Sequence, residues 1–192
     1  VQRNALLRQM NEPGRDTASD REMLELWDHT LAAAGARVTL ARSLYIDKLQ
    51  PIAAEIYAGL SGGREQLSLR WESPAFAPGL TPAEIAARWL AALQAARRAD
   101  RGAGFSTVGP HREDLTLTLN GTEVRTYGSQ GQQRSAVLAL KMAEAVLLQE
   151  VTGEPPVAFL DDVMSELDVS RQEYILNHID GWQVFITGCE PS

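Results

Sequence analysis

The chain has 192 residues, 44% apolar and 22% charged, with a net charge of −7, which is the make-up of one soluble globular domain or two small ones. No apolar run approaches the roughly 20 residues of a membrane span, the start shows no signal-peptide pattern, and the net negative charge argues against indiscriminate nucleic-acid binding. A single cysteine, Cys189, excludes an intrachain disulfide and fits a reducing, cytoplasmic setting.

The first residues, VQRNALLRQ, read as the middle of a helix with no cap before them, and Val1 is not a methionine. The expectation is a piece of a longer protein cut at its front. From Leu24 to Leu60 the apolar residues step by three or four, a heptad-like stripe with one stutter near Tyr45 to Leu49. Pro51 removes a backbone donor and clashes one turn back, and Gly35 is a second weak point. Two or three long helices are therefore expected. EQLSLRWES alternates and predicts a half-buried strand. A proline-rich loop follows. Thr81, Pro82 and Glu84 form the start of a helix with a capping box, running to about Arg98.

Residues 86–112 are the only net basic block, with Arg88, Arg97, Arg98, Arg101 and Arg112 against Asp100 alone. Two readings stay open. The arginines suit the end of a solvated helix, or Arg97, Arg98, Arg101 and Arg112 contact phosphate. FSTVGPHREDLTLTLNGTEVRTYG is β in character. Asn120-Gly121 is a hairpin turn with EVRTY as the return strand. His29 and His178 look incidental, and no His/Cys cluster has zinc spacing.

YGSQGQQRSA then opens a long helix to about Val151. Ser129 is placed to cap it, and Gly128 and Gly131 leave room for close approach. The free N–H groups and positive dipole end of such a start make an anion site, and a phosphate fits it. GEPP breaks the helix. VAFLDD follows as a short apolar run, SRQEYILNHI as a helix and WQVFIT as a second apolar run. Helix, strand, helix, strand implies a parallel sheet in an α/β lobe, with both strands in its covered interior. Asp161 and Asp162 stand at the carboxyl end of the first strand, where ligands bind. Two adjacent carboxylates need a positive neighbour, and a divalent metal with a phosphate supplies one. The plainer alternative is that Asp162 caps a turn and Asp161 pairs with an arginine.

In order, SQGQQR, VAFLDD and SELD resemble the signature motif, Walker B strand and partner-facing loop of an ABC-type ATPase head. VGPHREDL, YGSQGQQRSAVLALKMAE, FLDDVMSELD and RQEYIL narrow the resemblance to the RecF family of bacterial DNA replication and repair proteins, over nearly the whole chain. The resemblance implies an α/β fold: a partial ATPase head, a parallel sheet covered by helices, with a lobe of long helices. It divides the chain into a helical lobe at 1–104, with a strand near 65–72, and the C-terminal part of the head at 105–192. It implies that Asp161 holds the Mg²⁺ of ATP and that Asp162 orients the attacking water. Asp162 replaces the glutamate of the wider class and is one methylene shorter, so slow hydrolysis is expected. Ser129, Gln130, Gly131 and Gln132 would reach the γ-phosphate of ATP held by a second subunit, with Ser165 and Asp168 across the dimer interface. Family partners are duplex DNA near single-strand gaps and junctions, RecR and RecO, and a second copy joined by ATP.

Two features depart from the family pattern. No G-x-x-x-x-G-K-[ST] loop is present, so this chain alone is expected to be inactive. The sequence after VFIT reads TGCE, without the histidine of the wider class, which leaves the γ-phosphate sensor unassigned. Two other classes compete. One is a metal-dependent nuclease or hydrolase using Asp161, Asp162 and Asp168, against which no histidine or lysine stands nearby in sequence as a base. The other is a non-catalytic helical interaction module, which leaves SQGQQR and FLDD without a reason.

Overall fold

The computed structural model describes residues 2–12, 14, 16–164, 167–179 and 181–188. Two compact units emerge: residues 1–44 with 71–115, and residues 45–70 with 116–192. The chain therefore leaves the first unit and returns to it.

In the first unit, helix α1 (Gln2–Gln9) and the leading part of helix α2 (Ala18–Ser61) precede helix α3 (Pro82–Ala103). Ile85, Trp89 and Leu93 lie on one stripe of α3 and pack with Ala32 and Ala36 of α2 and with Ala75. Leu6, Leu7 and Met10 pack with Leu24 and Trp27 in a second cluster. Gly35 is required where it stands: a Cβ there would lie 3.2 Å from Pro110 and 3.4 Å from the Trp89 ring. Trp89 Nε1 donates to Thr39 (3.0 Å), and Thr39 donates to Glu113 (2.6 Å). Arg42 bonds Glu113 at 2.8 Å and the Pro110 carbonyl at 2.6 Å. These bonds fix the GPHRE segment, whose Pro110–Arg112 forms one 3₁₀ turn.

The first unit also holds a buried ionic cluster. Arg3 donates to Asp28 and Asp100, each at 2.7 Å, and to Ser106. Both carboxylates are fully buried and Arg3 is nearly so. Arg97 reaches the second oxygen of Asp28 at 2.8 Å, and Asp100 accepts the backbone N–H of Thr107.

The second unit contains the end of α2, helix α4 (Val124–Tyr127), helix α5 (Gln130–Thr152), strand β4 (Val157–Asp161), helix α6 (Val169–His178) and strand β5 (Gln183–Thr187). Strands β1 (Leu67–Glu72), β2 (Asp114–Leu119) and β3 (Thr122–Glu123) form one sheet in that order. Asn120 and Gly121 both take positive φ, 49° and 82°, and pair Thr118 with Glu123 and Leu119 with Thr122. That is the turn the sequence predicts. β4 and β5 pair in parallel, with Asp161 opposite Thr187.

Three expectations are corrected. α2 is one helix of 44 residues, unbroken at Pro51. An interior proline costs about 3 kcal/mol, and burying Ile56, Tyr57 and Leu60 just beyond it, at about 1.5–3 kcal/mol each, outweighs that. α3 runs past Arg98 to Ala103, because Gly104 is the residue that takes the left-handed capping conformation, φ 71°. EVRTY does not return as a strand: β3 stops at Glu123 and α4 begins. The Gly128 N–H closes on the Val124 carbonyl at 2.9 Å, and the Gln133 side chain donates to the Val124 and Gly128 carbonyls, taking groups a strand would need. In this chain, which pairs β4 and β5 in parallel as expected, one face of the pair is open. Phe159 is 73% exposed and stacks on Phe185, 4.9 Å between ring centres.

Replacing Arg3 by Met leaves Asp28 and Asp100 short of their principal partner, and removing one member of a buried charge cluster costs about 3–5 kcal/mol. The urea midpoint of Arg3→Met should fall accordingly, while Arg21→Ala, in an exposed ion pair, should leave it nearly unmoved. Equal midpoints for both variants would refute a structural role for the cluster.

Candidate functional site

The start of α5 is built by its own side chains. Ser129 adopts extended backbone and its Oγ accepts the Gln132 N–H at 3.3 Å, while the Ser129 N–H donates to Gln132 Oε1 at 2.8 Å. This is a complete capping box. The N–H groups of Gln130 and Gly131, in the first turn, have no partner within the helix. Gln132 is engaged at both ends of its amide, because Nε2 donates to Glu65 at 2.6 Å. Glu65 also accepts from Tyr57 at 2.8 Å. Burial first, and then the Glu65 carboxylate, push the Tyr57 phenol well above its ordinary range. The room expected at Gly131 is partly taken: Arg171 Nη1 lies 3.4 Å from where a Cβ would stand. Arg171 is held there by the Leu60 carbonyl (3.3 Å) and by Asp168 (3.4 Å). A cation thus flanks the positive end of α5.

Asp168 caps α6, its Oδ1 accepting the Arg171 N–H at 3.1 Å. Gln172 ties down the loop before it through the Met164 and Leu167 carbonyls, at 2.6 and 3.0 Å. Ser165 lies outside the described residues.

The two acids stand at the carboxyl end of β4. Thr187, their counterpart on β5, donates its hydroxyl to Asp161 and accepts the Asp162 N–H at 3.1 Å. Asp162 sits at φ 54°, a left-handed conformation that aspartate and asparagine adopt more readily than most residues. Both acids line a cavity of about 550 Å³ together with Gln133, Arg134 and Lys141 of α5 and with Phe159, Leu160 and Leu167. Basic side chains therefore share a cavity with the paired acids, the neighbourhood that adjacent carboxylates need. Lys141 corrects the view that no lysine stands near them, although it is paired with Glu144 at 2.7 Å. Among the described residues no group of three or more His, Cys, Asp or Glu could hold a metal. The donor set fits Mg²⁺ in another way. Asp161 offers one carboxylate oriented by Thr187, and Mg²⁺ takes one or two carboxylates and completes its shell with water and phosphate oxygens.

In the first unit, Arg97, Arg98 and Arg101 line one cavity with Arg21, Met10 and Leu24. Arg112 does not join them; its guanidinium lies over the Phe105 ring, 5.6 Å from the centroid. His111 Nε2 lies 3.3 Å from the Ser106 carbonyl, a turn-stabilising contact. Sequence reasoning missed Thr187, Arg171, Lys141 and Glu65. Thr187 had a signal, as a hydroxyl residue at the end of an apolar run parallel to the one ending in Asp161. Glu65 had none, because its place depends on where α2 ends.

No helix among the described residues is long and apolar enough to cross a membrane. No family model matches the chain. Curated relatives do. The DNA replication and repair protein RecF of Rippkaea orientalis is 44% identical over 193 residues, 97% of this chain and 51% of that protein. RecF of Heliobacterium modesticaldum is 45% identical over 194 residues, 97% of this chain and 50% of that protein. Solved structures of the recombination mediator protein RecF in the RecFOR pathway, one with ATP and one with ATPrS, each match all of this chain at TM-score 0.85 and 38% identity. The match covers 50% of each of those chains. The chain spans about half the length of the curated relatives it matches, and over nearly all of its own length it is similar to RecF proteins in both sequence and fold.

Proposed function

We propose that this chain supplies part of the ATP site of a RecF-type recombination mediator, acting in the cytoplasm in single-strand gap repair and replication restart. The observation that carries the reading is the end of the β4–β5 pair: Asp161 and Asp162, fixed by Thr187 and facing a cavity shared with the first turns of α5. The ATP-bound structural neighbours support it.

Asp161 would hold Mg²⁺, which supplies charge neutralisation to the phosphates when bound. Asp162 would accept a hydrogen bond from the attacking water and orient it. Ser129 keeps its hydroxyl hydrogen for a partner, and with the Gln130 and Gly131 N–H groups it would meet the γ-phosphate of ATP held by a second subunit. Gln132 would reach that phosphate only by releasing Glu65. Arg171 adds positive charge beside the same helix start. Ser165 and Asp168 would lie across the interface of an ATP-joined dimer. The division at 1–104 and 105–192 is proposed as a functional one, helical lobe against ATPase head. The basic segment would contact duplex DNA near gaps, with RecR and RecO as partners.

Asp162→Asn tests the water-orienting role cleanly, since asparagine keeps the left-handed turn and removes only the charge. In a RecF protein of full family length carrying this segment, ATP binding should persist and turnover should fall by roughly 100-fold; an unchanged rate overturns the assignment. The 192-residue chain by itself should not hydrolyse ATP. For DNA, Arg97 is committed to Asp28, so Arg98→Ala with Arg101→Ala is the better probe. Each phosphate contact contributes about 0.9 to the slope of log affinity against log salt. The double variant should flatten that slope by about 2, and an unaltered slope rejects the DNA reading.

A further inference from the structure

The arginine cavity of the first unit is arranged as a guarded phosphate seat. Arg97, Arg98 and Arg101 come from the last turns of α3 and Arg21 from the first turns of α2, around a floor of Met10 and Leu24 with a volume of about 460 Å³. Apolar floor and guanidinium walls hold planar, bidentate donors in place. Arg98 is engaged by no carboxylate among the described residues. Arg97 lines the cavity but is tied to the buried Asp28 at 2.8 Å, and its Nη2 is buried too. Arg21 and Arg101 share one carboxylate: Asp16 bonds Arg21 at 2.9 Å and Arg101 at 2.8 Å. Asp16 thus presents two oxygens to two guanidiniums, the geometry a phosphate would present to the same pair. Its short loop is anchored to α3 a second time, by the Asn11 side chain on the Arg101 carbonyl.

We propose that Arg21, Arg98 and Arg101 form a seat for a backbone phosphate of duplex DNA, with Arg97 behind them committed to Asp28, and that Asp16 occupies the seat as an internal competitor until DNA displaces it. The proposal rests on the reading of the basic segment as DNA-contacting, and adds to it Arg21 and a release step. Charge favours the exchange. Arg3 and Arg97 balance the buried Asp28 and Asp100. Among the described residues, the three guanidiniums of Arg21, Arg98 and Arg101 then meet the one carboxylate that bonds two of them, Asp16. The Arg21 guanidinium, and then Arg101, hold the Asp16 carboxyl below its usual range. Asp16 is therefore ionised at neutral pH and leaves by exchange with another anion, not by protonation. A backbone phosphodiester presents two charged oxygens, as a carboxylate does, and bridges guanidiniums equally well.

The test is binding of the 192-residue chain to a short fluorescent duplex, followed by anisotropy between about 50 and 200 mM salt. Asp16→Asn should bind roughly ten-fold tighter at the lower salt, with a slope steeper by about 1 to 2, because two guanidiniums are freed. Asp16→Glu, which keeps the competing charge, should bind as the parent does. If the Asp16→Asn affinity and slope equal the parent's while Arg98→Ala with Arg101→Ala weakens binding, the guard is wrong and the arginine reading stands. If the arginine variant also binds as the parent does, or nothing binds, both fall. A readout free of folding effects is the Nε–Hε spectrum of the unaltered chain. The Arg21 and Arg101 signals should both shift as duplex is added, and fixed signals during binding overturn the proposal.

Discussion

Asp28 and Asp100 are carboxylates with no access to water, and the first unit is organised around keeping them paired. An unpaired buried carboxylate costs several kcal/mol, more than most single contacts contribute. Arg3 satisfies both with one guanidinium, and so α1 must lie where Arg3 reaches α2 and α3 together. Thr107 donates into the same cluster, Ser106 accepts from Arg3, and Asn4 accepts from Ser106. The loop after α3 therefore has little freedom. This explains why a polar heptapeptide such as QRNALLR packs as a buried helix: its leucines fill one cluster and its arginine completes the other.

The second unit obeys a different constraint. Parallel pairing sets Asp161 opposite Thr187, so the chemistry-bearing ends of β4 and β5 are aligned by register alone. Asp168 then begins α6 by capping it, and Arg171, one turn in, is carried to the start of α5. Three short sequence features converge on one region because caps and register fix where each helix and strand begins. Gly59 on α2 admits the Tyr174 ring at a separation no Cβ would allow, so α6 is seated by an absence of bulk as much as by contact.

The sequence was most legible where local chemistry decides the backbone. Thr81 with Glu84, Ser129, and Asn120-Gly121 each specify a cap or turn locally, and each is found as expected; that Gln132 completes a capping box with Ser129 is added by the structure. It misled where a longer-range balance decides. Pro51 is a helix breaker by its own geometry, yet the buried residues beyond it hold α2 together. EVRTY has strand-forming residues, but Gln133 and Gly128 claim its carbonyls from the far side of the turn. In the candidate site the acids and the helix start were visible as motifs. The residues that hold them, Thr187, Glu65 and Arg171, became visible only with the tertiary fold.

The electrostatics at the start of α5 bear on what it can accept. The helix contributes about half a positive charge, and Arg171 a full one nearby. Glu65 opposes them, but acts through the Gln132 amide and shares its own charge with Tyr57. Asp168, paired with Arg171 at 3.4 Å, offsets that charge as well, so net charge decides little here and the converging donors decide more. A monovalent anion gains little there against its hydration, while a phosphate with several charged oxygens can bond the Ser129 hydroxyl, the Gln130 and Gly131 N–H groups and Arg171 together. The same argument explains the Glu65 contact. With no phosphate present, Gln132 would otherwise leave a side-chain donor unmet beside a positive helix end, and Glu65 satisfies it while keeping the capping box assembled. Selectivity for a multiply charged phosphate then arises from the number of donors that converge on one point.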